Sequence, residues 1–258
     1  MSYLVEMLSS TRARVAEAKE RRTTVVLEQR IAAQEAPRDL ARALRGDGIS
    51  VIAEIKRVSP ARGPLNRDLD AAALARHYAR GGAAAISVLT EPEYFDGSLE
   101  DLEAARPAGL PVLRKDFMID EWQLLESRAS GADAVLLIVR ALEEEALARL
   151  FAGTRALGME ALVEVHDDAE VERAVATGAA IIGVNHRNLE TFEVDDDRTA
   201  KLAGLIPSGH TLVGLSGVSS RAEVQRLEAA GASAVLVGES LVTAADPVAK
   251  LRELRGSA

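Results

Sequence analysis

Val51-Ile52-Ala53-Glu54-Ile55-Lys56 reads as a strand with two unlike faces. Alternate side chains of an extended chain share a side, so Ile52, Glu54 and Lys56 point one way and Val51, Ala53 and Ile55 the other. The apolar face must be covered by helices. The mixed face then looks into the molecule, with a carboxylate and an ammonium near the carboxyl end of the strand.

Similar β-branched runs recur downstream: AAAISVLT from Ala83, PVLRKD from Pro111, ADAVLLIV from Ala132, EALVEV from Glu160, AAIIGVN from Ala179, TLVGLSG from Thr211 and SAVLVG from Ser233. Their spacings of roughly 20 to 32 residues equal one strand plus one helix. The intervening segments carry helix punctuation. Asp120 is placed to cap EWQLLESRA before Gly131, and Ser219 or Ser220 to cap RAEVQRLEAA before Gly231. Eight such units without a break in composition predict an α/β fold, a (β/α)8 TIM barrel, over a doubly wound sheet of five or six strands. Residues 1–258 read as a single barrel domain with 1–48 as an N-terminal helical extension. That extension has a helical pattern through AEAKERR, a short helix near Leu40 and a turn at Gly46-Asp47-Gly48. It is either a packing cap or a lid over a site, and the sequence leaves both open.

The chain has 258 residues, 48% of them hydrophobic, and carries 40 acidic against 31 basic side chains for a formal charge of −9. That balance argues against nucleic acid or an anionic membrane as the main partner. The absence of cysteine removes disulfides, thiolate nucleophiles and cysteine-based metal or iron–sulfur sites. No run approaches the roughly 18 apolar residues of a membrane helix, and the charged start MSYLVEMLSSTRARVAEAKERR is unlike a signal peptide, so the cytoplasm is the expected location. Asp195-Asp196-Asp197 reads as a solvated loop with no metal-ligand set beside it. GLIPSGHT from Gly204 has the spacing of a P-loop, but His210 stands where the lysine belongs and the segment precedes its strand.

Alternation applied to the other strands points Leu113 and Lys115, Leu162 and Glu164, Ile181, Gly183 and Asn185, and Gly214 and Ser216 into the barrel. Lys56, Lys115, Glu54, Glu164 and Asn185 thereby converge on the carboxyl rim, where barrel active sites form. Buried ion pairs are weak stabilisers, so such a set is better explained by chemistry than by structure. Arg187 adds a cation suited to a carboxylate. Ser216-Gly217 and Gly238-Glu239, after the seventh and eighth strands, let the backbone approach a phosphate. Phe117 is a candidate apolar wall. The histidines at 77, 166, 186 and 210 form no i, i+4 pair with one another, and His186 alternates outward into a supporting role.

These stretches, together with IAEIKRVSP from Ile52, ISVLTEPEYFDGS from Ile86, PVLRKDF from Pro111, ALVEVHD from Ala161, IIGVNHRNL from Ile181 and SGV from Ser216, resemble the indole-3-glycerol-phosphate synthase family over nearly the whole chain. The resemblance implies a barrel with an N-terminal extension and a reaction without cofactor or metal. In that reaction 1-(2-carboxyphenylamino)-1-deoxyribulose 5-phosphate, a phosphorylated small molecule, becomes indole-3-glycerol phosphate, CO2 and water in tryptophan biosynthesis. It further implies Lys115 as general acid of ring closure, Glu164 in dehydration and Glu54 in orientation. Lys56 and Arg187 would sit on the substrate carboxylate, with Lys56 competing for the later acid step, and Asn185 on the hydroxyls or Glu164. Ser59, Ser216, Gly217, Gly238 and Glu239 match the substrate and phosphate region, and Phe117, Leu136 and Leu189 the cradle of the aromatic ring. Ala61 replaces a serine common in the family, and Glu239 a serine or alanine. Phosphoribosylanthranilate isomerase, a similar barrel, relies on a cysteine that this chain lacks. The remaining alternatives are a Schiff-base lysine aldolase and a noncatalytic barrel that binds phosphosugars.

Overall fold

The computed structural model describes residues 3–46, 48–188 and 191–256. Eight parallel strands close into a barrel: β1 (Ser50–Ile55), β2 (Ala85–Leu89), β3 (Val112–Lys115), β4 (Ala134–Ile138), β5 (Glu160–Val165), β6 (Ile181–Asn185), β7 (Thr211–Leu215) and β8 (Ala234–Val237). Each pairs with its neighbour in sequence, and β8 returns to β1 with Ser50 opposite Ala234 and Ala53 opposite Val237. The eight runs expected from sequence are these eight strands. A two-residue hairpin, Val58–Ser59 with Gly63–Pro64, follows β1 at the rim.

The two faces of each strand go to two cores. Val51, Ala53, Ile55, Val163, Ile182 and Val184 pack against the surrounding helices. Ile52, Leu113, Leu136, Leu162, Ile181 and Leu236 fill the interior. On β7 the expected phase is reversed. Val213 and Leu215 face inward, beside Gly183 and Asn185 in register, whereas a Cβ on Gly214 would meet Leu227 of the outer helix 221–229. Leu212 and Gly214 on one phase and Val213 and Leu215 on the other are all nonpolar, so alternation carries no information there.

Helix ends follow local chemistry. Asp120 accepts from the N–H of Trp122, and Gln123 completes a capping box for Glu121–Ala129. Ser220, not Ser219, caps Arg221–Ala229, with Glu223 reaching back to the cap.

The extension contains one helix more than expected: α1 (Tyr3–Arg21), α2 (Thr24–Ala32) and α3 (Leu40–Ala43). α1 lies at the carboxyl rim and α3 at the opposite end, where the Leu44 carbonyl accepts from Ser50 Oγ at the start of β1. Leu4, Met7 and Leu8 of α1 and Leu40 and Ala41 of α3 belong to the same interior cluster. Between them α2 packs Leu27 against Trp122 and Ala129. The segment before α3 is pinned by Arg38, whose guanidinium donates to the carbonyls of Arg106 and Leu110. The extension therefore packs at both ends of the barrel.

α1 is fastened through a buried charge network. Arg14 Nη2 meets Asp116 Oδ1 at 2.9 Å, and Arg114 meets Asp116 at 3.0 Å and Glu126 at 2.9 Å. Thr90 Oγ1 donates to Asp116 at 2.8 Å. Burial alone would raise the Asp116 pKa, but the Arg114 and Arg14 guanidiniums outweigh it and hold the carboxyl below the usual aspartate range. No described helix is long and apolar enough to cross a membrane.

Arg114→Ala leaves two carboxylates without their central cation and is expected to cost about 3–5 kcal/mol in urea denaturation at neutral pH. Asp116 contributes stability above the ordinary aspartate pKa that is lost as pH falls through its lower folded value, so the variant should show a shallower acid dependence. Unchanged stability would show that the network is dispensable.

Candidate active site

The carboxyl rim encloses a cavity of about 580 Å³. β1 supplies Glu54 and, one residue past its end, Lys56, with Lys56 Nζ 2.9 Å from Glu54 Oε1. Gly238, just after β8, lies directly over this pair: a Cβ there would come within 2.5 Å of Glu54 Oε1 and 3.2 Å of Lys56 Nζ. The glycine is needed for this close approach, because its φ of −119° is open to any residue. Ser59 of the hairpin, Lys115 from β3 and Phe117 beyond it also line the cavity.

Asn185 ends β6 and forms part of the floor. Its Nδ2 donates to Glu164 Oε1 at 2.9 Å, and its Oδ1 accepts from the Arg187 N–H at 3.0 Å. Glu164 is buried beneath the cavity, outside its lining, and its Oε2 has no hydrogen-bond partner among the described residues. Arg187 lines the wall, its Nη1 held at 2.9 Å by the Phe192 carbonyl.

Ser216 and Gly217 turn away from β7 in the left-handed region, with φ of 69° and 77°. His186 holds this turn from behind: Nδ1 lies 3.0 Å from the Ser216 carbonyl and Nε2 2.7 Å from Thr199 Oγ1. Burial pushes the His186 pKa down, so the neutral ring donates through Nδ1 and accepts from the threonine. The outward, supporting placement expected for His186 is the one observed.

Four acidic and four basic side chains among the described residues line the cavity, and they are paired unevenly. Lining acids have partners: Glu54 has Lys56, Glu239 has Arg62 at 3.4 Å, Asp196 has Arg226 at 3.5 Å, and Glu223 accepts from the N–H groups of Ser219 and Ser220. Asp196 thus borders the site rather than lying in a purely solvated run. Lys115 and Arg187 are the lining cations that meet no carboxylate among the described residues, and the Lys115 ammonium makes no hydrogen bond to them. Two cations that no described carboxylate occupies thus face the cavity, available to an anionic ligand.

Of the expected site residues, Glu54, Lys56, Ser59, Lys115, Phe117, Asn185, Arg187, Ser216, Gly217, Gly238 and Glu239 border one cavity. Leu136 packs deeper in the barrel interior and does not, and Leu189 lies outside the described residues. Sequence reasoning missed Met7 of α1, Leu89, Phe95, Phe192 and Leu215, which supply much of the apolar wall. Met7 had no signal, since α1 was not known to reach the rim; Leu215 was hidden by the phase error on β7. Tyr3 joins the wall's outer edge, its ring stacked edge-on against Tyr94 and Phe192 at 5.4 and 4.9 Å. Also missed was His166, two residues past Glu164 and therefore on its face, with Nε2 3.5 Å from Glu164 Oε1.

The family model for indole-3-glycerol phosphate synthase matches residues 4–254. The chain is 53% identical to indole-3-glycerol phosphate synthase 2 of Streptomyces coelicolor over 236 residues, covering 91% of this chain and 92% of that protein. It is 48% identical to the indole-3-glycerol phosphate synthase of a Nocardioides species, covering 99% of both. Among solved structures, 3-hexulose-6-phosphate synthase from Salmonella typhimurium superposes with a TM-score of 0.62 at 16% identity, over 81% of this chain and 97% of that one. Thiamine phosphate pyrophosphorylase from Pyrococcus furiosus gives 0.60 at 15% identity, over 84% and 96%. At such identities the structures share the barrel fold and nothing further is drawn from them.

Gly238→Ala is expected to lower kcat/KM by about tenfold to a hundredfold by displacing the Glu54–Lys56 pair, with little change in Tm. Steady-state kinetics beside a thermal melt test this; full activity would mean the pair tolerates displacement.

Proposed function

The chain belongs to the indole-3-glycerol phosphate synthase family, and from that premise we propose how its rim divides the reaction. The substrate is an anilino-deoxyribulose phosphate with a carboxylate on its ring. The ring carbon bearing that carboxylate attacks the ketone; the new alkoxide takes a proton; the carboxylate leaves as CO2. Loss of the hydroxyl as water, with removal of a proton, then completes the indole. The enzyme is on this reading a carboxy-lyase: the C–CO2 pair returns to the ring, the C–O pair leaves with the water, and no oxidant or reductant is needed.

Lys115 is the acid of ring closure. The observation that carries this is its ammonium, which lines the cavity without a carboxylate or hydrogen-bond partner among the described residues. Its protons are free to meet the developing alkoxide. Lys56 is tied to Glu54 at 2.9 Å, which suits a fixed cation beside the substrate carboxylate, with Glu54 orienting it. Arg187, anchored on the Phe192 carbonyl, is the second carboxylate partner. Asn185 spends its Nδ2 on Glu164, which supports positioning over hydroxyl binding. Glu164 is assigned the proton removed in dehydration: its Oε2 has no hydrogen-bond partner among the described residues, and the carboxyl must turn past Asn185 from beneath the lining to meet the substrate.

The phosphate is assigned to the turns Ser216-Gly217 and Gly238-Glu239, through backbone N–H groups. The Glu239 carboxylate is drawn towards Arg62 and so opposes an anion there less. Phe117, with Met7, Phe95 and Leu215, forms the cradle of the aromatic ring.

Purified, metal-stripped protein mixed with the substrate should develop indole fluorescence. Lys115→Ala should lower kcat at least about a hundredfold, and Arg187→Ala should chiefly raise KM. A Lys115 variant retaining most of its turnover would overturn the acid assignment, and an unchanged KM would remove Arg187 from the carboxylate.

A further inference from the structure

Behind Glu164 lies a buried chain of charges that the reaction scheme above does not use. His166 is 5% exposed and presents one ring nitrogen to each of two carboxylates. Nδ1 is hydrogen-bonded to Glu170 Oε2 at 3.1 Å, whereas Nε2 stands 3.5 Å from Glu164 Oε1, within ion-pair distance but with no hydrogen-bond partner among the described residues. Glu170 also accepts from the His166 backbone N–H at 2.8 Å, and its Oε1 from Arg140 Nε at 2.8 Å. Arg140 reaches on to Asp167 at 3.2 Å near the surface. On the other side, Asn185 donates to Glu164 Oε1.

The protonation of this chain can be counted. Burial opposes ionisation of Glu170, but hydrogen bonds from His166 and Arg140 outweigh it and hold its carboxyl below the usual glutamate range. Glu170 is therefore an acceptor, and Nδ1 carries a proton. If Nε2 were bare, its lone pair would face the Glu164 oxygen, and Glu164, Glu170 and Arg140 would leave one negative charge uncompensated in the interior. A second proton on the ring removes the lone-pair clash and sets His166 and Arg140 against the buried Glu164 and Glu170, with Asp167 sharing Arg140 near the surface.

We propose that His166 is a positioning residue for Glu164: a doubly protonated imidazolium that bridges Glu164 and Glu170 and keeps Glu164 ionised as a base. This rests on the reading of Glu164 as the base of dehydration. When Glu164 Oε2 takes a proton from the substrate, the imidazolium stays against Oε1. At the close of the cycle the carboxyl passes that proton to solvent and Lys115 regains one from solvent, so no electrons or further reactants are involved. The sequence His166 and Glu170, four residues apart across the start of the helix Asp168–Ala176, builds the device locally.

The direct test is nitrogen-15 NMR of the histidine rings of the intact protein, assigned with His166→Asn. At neutral pH both His166 nitrogens should have the shifts of protonated imidazolium, and Glu164→Gln should return Nε2 to the shift of a bare nitrogen. A bare Nε2 in the wild-type protein, or one indifferent to Glu164→Gln, would overturn the proposal. Kinetics give the second readout. His166→Asn and His166→Gln should lower kcat about tenfold to a hundredfold with KM within about threefold. Wild-type kcat in both variants would also overturn it. Glu164→Gln separates the two readings, since full turnover in that variant would remove Glu164 from the chemistry whatever the protonation of His166.

Discussion

The rim depends on closure of the barrel between β8 and β1. Once Ala53 pairs with Val237, the next residues on the two strands are Glu54 and Gly238, and they must share the same space. A side chain at 238 would occupy the position of the Glu54 carboxylate. Closure without a side chain there lets the Glu54–Lys56 pair stand upright at the seam, and parallel pairing brings the ends of β3, β5 and β6 to the same level. The site is thus a consequence of register as much as of residue type.

The electrostatics follow from who is left unpaired. The chain carries a formal charge of −9, yet acids bordering the cavity are each occupied by a cation or by backbone N–H groups. Lys115 and Arg187 remain for the substrate, which brings a carboxylate and a phosphate. An ammonium held by a carboxylate loses Coulombic pull on a ligand, so the ion pair at Lys56 and its absence at Lys115 among the described residues separate two lysines that look alike in sequence.

Much of this was legible because polar residues interrupt apolar strands. Glu54, Lys56, Lys115, Glu164 and Asn185 break otherwise hydrophobic runs and fix the inward phase of β1, β3, β5 and β6. β7 has no such interruption before Ser216, and its phase was misread. Contacts between distant segments were not legible at all: nothing local says that Met7 reaches the cavity, that α2 exists to pack Leu27 on Trp122, or that Arg14 finds Asp116. His166 lay within reach, since alternation puts it on the face of Glu164, but its partner Glu170 becomes visible only once the following helix folds back.

The central claim is that Lys115 delivers the proton of ring closure while Lys56 stays bound to Glu54. A crystal structure with the substrate whose ketone has been reduced to an alcohol, and which cannot close, tests it most directly. The account predicts the alcohol oxygen within hydrogen-bond distance of Lys115 Nζ, with the ring carboxylate against Arg187 and the Lys56–Glu54 pair intact. An alcohol oxygen bound to Lys56, with Lys115 turned away, would contradict it.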